Sequence, residues 1–140
     1  MKLTPEKLGE NPSEYSQQVA LFAWAQQNRE KYPELALLFA IKNEEKSGSK
    51  IAGARFKAAG VKSGVPDIML PVARQKAHGL FIELKKPGGT DKNGKHVARG
   101  VVSAEQSKWQ ARLQHEGYWA VTCWGWEDAR DALVSYLDQN

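Results

Sequence analysis

Apolar residues along this chain gather in short blocks between polar stretches, and their spacing predicts the elements. Asn11-Pro12-Ser13-Glu14 reads as a helix start. Asn11 caps, Pro12 suits the first helical position, and Glu14 stands where a capping box places its acid. Beyond it, Tyr15, Val19, Phe22, Ala23 and Gln26 share one face, and Glu14, Gln18, Leu21 and Ala25 form the adjacent stripe. Pro33 ends this helix, and the apolar run from Leu35 to Ile41 reads as a strand. From Lys46 to Gly60 the chain is basic and rich in Ala and Gly. Ile51, Ala54 and Ala58 fall there at helical spacing, weakened by Gly48 and Gly53. A turn over 60–64 leads into a strand near 65–72. A polar hairpin connection, Arg74 to Gly79, then leads into a strand near 80–85.

The stretch 87–100 holds Pro87, Gly88, Gly89, Gly94 and Gly100 among polar and basic residues. It has no apolar face to bury, so it reads as a mobile loop. Ser103-Ala104-Glu105-Gln106 is a second capping box. The helix it opens runs to Gly117, with Trp109 and Leu113 expected on the inner face. A strand over 118–124 and an amphipathic helix over 126–137 close the chain. Residues 1–10 are polar and read as a flexible tail ahead of a single domain, 11–140. Strands joined by a short connection pair antiparallel, and the strand after the Ser103 helix pairs in parallel through a crossover. The expected fold is therefore α/β, a small mixed β-sheet flanked by helices.

Composition narrows the classes. With 140 residues, 41% hydrophobic and 26% charged, the chain matches an ordinary globular domain. No apolar run approaches the roughly 20 residues of a membrane span. The start has no apolar segment of a secretory signal, and Cys123 is alone, so a reducing, cytoplasmic setting is expected. One cysteine with His78, His96 and His115 scattered gives no zinc pattern. The five tryptophans, Trp24, Trp109, Trp119, Trp124 and Trp126, read mainly as core or dimer contacts. A net charge of +4 is mild, but its distribution is uneven. Cations cluster between Lys42 and Lys62 and again between Lys85 and Arg99, on either side of the acids discussed next. From charge alone these stretches read equally as solvated loops or as a surface for an anionic partner, with Lys62, Lys86, Lys92, Lys95 and Arg99 as the candidate contacts.

Charges seldom interrupt a run that reads as a buried strand, because an unpaired buried charge is costly. Yet Asp67 stands within Val65 to Leu70, and Glu83 and Lys85 stand within Leu80 to Lys85. Taken singly, Asp67 after Pro66 reads as a turn acid, and Glu83 with Lys85 as an exposed charge pair. Their joint placement on apolar runs favours chemistry. Phosphodiester hydrolysis needs an activated water and stabilised phosphate charge, and a hard divalent cation provides both. Such a cation keeps several waters beside one or two carboxylates. Asp67 and Glu83 supply those carboxylates if their strands are adjacent, with the backbone carbonyl of Leu84 as a third ligand. Lys85 leaves the strand on the same face as Glu83. Base, proton relay and electrostatic clamp all remain open for it.

Gly64-Val65-Pro66-Asp67 followed by Ile82-Glu83-Leu84-Lys85 resembles the PD-(D/E)xK nuclease signature. More narrowly, the chain resembles the VRR-NUC family of virus-type replication and repair nucleases. The resemblance rests on Glu14 with Gln18, Gly60 to Asp67, Phe81 to Lys85, Ser103-x-x-Gln106, Leu113 and Gly117-Tyr118, and spans about residues 13 to 138. It implies a restriction-endonuclease-like fold and a nuclease dependent on Mg²⁺ or Mn²⁺. It further implies Asp67 and Glu83 as metal ligands, Glu14 reaching the metal through water, Lys85 as the catalytic lysine, and Gln106 near the active site. Short stand-alone members look like phage or bacterial homodimers that cut branched DNA, four-way junctions above all. Two other readings are a non-catalytic DNA-binding module on the same fold, and a nuclease acting on flap DNA or RNA.

Overall fold

The computed structural model describes residues 3–42 and 50–139. Its centre is a four-stranded mixed sheet. Strand β3 (Leu80–Lys85) lies inside the sheet, antiparallel to β2 (Ile68–Leu70) and parallel to β6 (Trp119–Trp124). Strand β1 (Phe39–Ala40) pairs antiparallel with β2 at the edge, giving the order β1-β2-β3-β6. The tight connection before β3, closed by an Arg74–Ala77 bridge, enforces the antiparallel pair. Helix α4 (Ala104–His115) provides the crossover that the parallel pair requires. The expected α/β mixed sheet is the one found.

Strand alternation sorts β3 into two faces. Leu80, Ile82 and Leu84 lie with Ile68, Leu70 and Cys123 in the main core. That core is closed by Ala20, Leu21 and Ala25 of α2 (Glu14–Gln27) and by Ala129, Leu133 and Tyr136 of α5 (Trp126–Leu137). Phe81, Glu83 and Lys85 take the other face, beside Ala120, Thr122 and Trp124. Both faces are covered, so every residue of β3 is buried.

Several expectations change. The flexible tail instead carries a short helix, α1 (Pro5–Leu8), capped by Thr4 and with Pro5 buried. Helix α2 ends at Gln27 with Asn28 as its C-cap, ahead of Pro33. It buries Gln17, Ala20, Leu21 and Ala25, whereas Tyr15 is 79% exposed. Apolar and polar residues are interspersed around this helix, so periodicity alone does not choose the inward stripe. The chosen one includes Gln17, whose amide donates to the Gly9 and Asn11 carbonyls and accepts the Trp126 N–H. One buried side chain thereby ties the turn after α1 to the start of α5.

The run Leu35 to Ile41 is mostly not a strand. Pro33–Leu37 forms a 3-10 turn, leaving two residues for β1. Proline favours the first helical position, and Glu34 within the turn is held by Arg74 at 2.6 Å. The expected helix near 46–60 is α3 (Lys50–Ala58), and 46–49 lie outside the described residues. The stretch 87–100 is not an unstructured loop but a hairpin of β4 (Gly89–Thr90) and β5 (His96–Val97). At its turn, the Asp91 carboxylate accepts the N–H groups of Asn93 and Lys95. Asn93-Gly94 is the hairpin signal that the sequence carried there.

Helix α4 turns Trp109 and Leu113 inward as half-buried residues, with glutamines beside them that bond to the sheet. Gln110 donates to the Thr122 hydroxyl at 2.6 Å, and Gln114 donates to the Ala120 carbonyl at 2.8 Å. Trp109 and Leu113 are half-buried and floor a groove beside Lys62. Among the described residues, no helix is long and apolar enough to cross a membrane.

Candidate active site

The ladder between β2 and β3 stops at Ile68 opposite Ile82. Past its end, the backbone N–H of Leu84 would lack a strand partner on that side. The Asp67 carboxylate takes the place of one, accepting that N–H at 2.8 Å. The main chain of Asp67 is fixed in turn, since its carbonyl accepts the Ile41 N–H at 2.7 Å. Continuing the register by one residue puts Asp67 opposite Glu83. In a strand, the N–H and C=O of one residue point to the same edge, so the Leu84 carbonyl lies on the Asp67 side.

Glu83 is 1% exposed, and its Oε1 has no hydrogen-bond partner among the described residues. Burial pushes its carboxyl up to about 9. A hydrogen bond with Asp67 and the Asp67 charge push the same way, Lys85 opposes them, and the charge of Glu14 adds to the rise. Glu14 itself is exposed in the first turn of α2. Lys85, 8% exposed, follows Glu83 on the same face. The fold thus brings Asp67, Glu83, Lys85 and Glu14 to one end of β3. This convergence of acids with an orphaned carboxylate oxygen is unfavourable as it stands.

A divalent cation fits that imbalance, because it takes up the buried negative charge and gives Oε1 a partner. Among the described residues, no three acidic, histidine or cysteine side chains gather closely enough to hold a metal alone. A cation held here would rest on two carboxylates, with main-chain carbonyl and water to complete its shell, a donor set of the kind Mg²⁺ and Mn²⁺ accept.

The remaining sequence candidates divide. Gln106 is half-buried in a complete capping box, its Oε1 accepting the Ser103 N–H at 2.9 Å. Lys86 is half-buried directly after the site, and Lys92, Lys95 and Arg99 are exposed on the hairpin. Lys92 and Lys7 line one cleft of about 330 Å³, between the hairpin tip and the turn at Glu10 and Asn11. Lys62 lines a different groove, against α4. Sequence reading passed over Lys7, and gave Gly100 to a mobile loop and Trp124 to core or dimer contacts. Only the last two carried a signal, a glycine and an indole each close to a strand end.

An acid at the end of one strand beside a Glu-x-Lys on its neighbour, in a mixed sheet between helices, is the arrangement of the PD-(D/E)xK nuclease class. Within that class, the VRR-NUC domain profile matches residues 12–126, and the chain belongs to the VRR-NUC family. Its fold is similar to a solved structure described as a VRR_NUC domain protein, with a TM-score of 0.66 and 24% identity. That likeness covers 100% of this chain and 93% of the other. No curated protein matches the chain.

Proposed function

We propose that this protein is a metal-dependent endonuclease that cuts branched DNA, four-way junctions above all. The observation that carries this reading is the buried, unpartnered Oε1 of Glu83 beside Asp67 and within the field of Glu14. Asp67, Glu83 and the Leu84 carbonyl would hold the metal, with Glu14 placed to act through water. Bound there, Mg²⁺ or Mn²⁺ supplies an acidified water and neutralises charge on the scissile phosphate. Asp67 also keeps its Leu84 hydrogen bond, which orients the carboxylate without consuming all its lone pairs. Lys85 presents its ammonium from the same face, where it stabilises phosphate charge or handles a proton. The cap uses only Oε1 of Gln106, so the amide N–H groups of that residue remain as donors toward the substrate.

Lys86, Lys92, Lys95 and Arg99 contact phosphates, and Lys7 extends that line across the cleft. Such contacts read shape and backbone rather than sequence. The testing experiment is a cleavage panel of linear duplex, flap, fork, four-way junction and RNA, each with Mg²⁺, Mn²⁺ or EDTA. Junction cutting in either metal and none in EDTA is the expected result. Cutting that survives EDTA removes the metal mechanism, and tight binding without cutting in any metal identifies a non-catalytic module.

The working form is a homodimer through the groove along α4. Trp109 and Leu113 floor a groove of about 590 Å³ whose rim carries Lys62, Lys108 and Arg112 with Glu105 and Glu116. A rim of both signs complements a two-fold copy of itself. Light scattering is expected to give twice the chain mass at micromolar concentration, and Trp109→Glu to give the single mass. A monomer throughout contradicts this assignment.

A further inference from the structure

We infer that Gly100 and Trp124 are positioning residues for Lys85, fastening the base of the β4–β5 hairpin across the end of β3. The inference rests on the nuclease reading for its consequence, and on contacts alone for its geometry. The Trp124 indole N–H donates to the Gly100 carbonyl at 2.8 Å. The Gly100 N–H donates to the Lys86 carbonyl at 3.0 Å, and the Gly125 N–H donates to the Lys85 carbonyl at 2.9 Å. The returning leg of the hairpin is thereby tied to Lys86, directly after the strand, and to Trp124, whose neighbour Gly125 holds the Lys85 carbonyl.

The fit is close enough that a side chain would press on Lys85. A Cβ at Gly100 would stand 3.0 Å from Cβ and 3.2 Å from Cδ of Lys85. The first of these is a stiff atom next to the main chain, so relief requires Lys85 or the hairpin leg to shift. Gly88 makes the matching approach, where a Cβ would lie 3.0 Å from the Arg99 nitrogen. The Lys85 stem is walled by glycine backbone on a buried face, which restricts the path its ammonium can take. Trp124 stands opposite Lys85 in the parallel register and holds the wall in place. The same indole carries the Arg99 guanidinium 3.8 Å from its ring centre. Stacking leaves the N–H edge of that group available to phosphate. One tryptophan thus sets both a lysine inside the site and an arginine at its mouth.

Two variants test this, Gly100→Ala and Trp124→Phe. The second keeps a ring under Arg99 but removes the N–H donor. Each is measured for thermal unfolding, for kcat and KM on a four-way junction, and for acylation of Lys85 relative to Lys86. The labelling uses an N-hydroxysuccinimide ester on metal-free protein, read by peptide mass spectrometry. Gly100→Ala is expected to lower kcat by up to about 10-fold, since relief by a fraction of an ångström falls short of the ~1 Å misplacement that costs roughly 100-fold. Trp124→Phe is expected to lower it about fivefold, the equivalent of one hydrogen bond. KM stays near the wild-type value in both, and the Lys85 to Lys86 labelling ratio rises. Unchanged kcat with an unchanged ratio in a folded variant overturns the inference, as does a change confined to KM. If Gly100→Ala does not fold, Trp124→Phe decides by the same criteria. If the wild type cuts no DNA, the nuclease reading fails, while the labelling ratio still decides the positioning claim.

Discussion

Glu83→Gln is expected to lower junction cleavage by at least about 10³-fold, which corresponds to roughly 4 kcal/mol of lost transition-state stabilisation. The amide keeps the size and packing of the acid in a fully buried position, so the fold is retained. It removes the charge on which the proposed cation would rest beside Asp67 and leaves a neutral donor pointing into the site. Asp67→Asn is expected to match it, because an amide oxygen can still accept the Leu84 N–H. Asp67→Ala is a poorer test, since it leaves that N–H bare at a cost of about 1–3 kcal/mol. Binding of uncut junction in EDTA should stay within about twofold of wild type, since Lys92, Lys95 and Arg99 lie outside the acid cluster. A Glu83→Gln protein that cuts at the wild-type rate would remove Glu83 from the mechanism. A variant that cuts poorly only because it no longer binds DNA would move Glu83 from chemistry to recognition.

The centre of this site was legible because buried charge is rare. Asp67, Glu83 and Lys85 stood in apolar runs that fold into adjacent strands, and period-two alternation put Glu83 and Lys85 on one face. Strand β3 and helix α5 were readable to their end residues, since both have sharp polar or glycine boundaries. What the sequence hid depends on contacts between distant segments. The hairpin at 87–100 is held by an Asp91 turn and by Trp124, from another strand, and neither shows as a hydrophobic pattern. The inner side of α4 carries Gln110 and Gln114, bonded to Thr122 and the Ala120 carbonyl, beside half-buried Trp109 and Leu113, and an apolar rule shows only the second pair. Gln17 was passed over for the same reason, a polar residue buried to satisfy main-chain groups of two other elements.

The orphaned oxygen also makes metal-free stability depend on pH in an unusual direction. A buried acid with a favourable partner has a lowered pKa and stabilises the fold as pH rises. Glu83 is the reverse, raised from 4.5 to about 9 by burial and by Asp67. Between those values the folded chain holds a proton that the unfolded chain has released. The stabilisation is complete below the lower value and is lost as pH rises toward the upper one, at up to about 1.4 kcal/mol per pH unit. The melting temperature in EDTA is therefore expected to fall steadily from pH 5.5 to 8.5, and to fall much less in Glu83→Gln. That window avoids Glu34, whose pKa is lowered by backbone and Arg74 hydrogen bonds, and Cys123, which burial raises from 9 to about 12. Adding Mg²⁺ or Mn²⁺ replaces the proton by a cation, so the rise in melting temperature should grow with pH and exceed that of Glu83→Gln throughout. A wild-type melting temperature that is level across the window would mean that Glu83 is ionised and otherwise partnered. An equal metal response in Glu83→Gln would place the cation somewhere other than between Asp67 and Glu83.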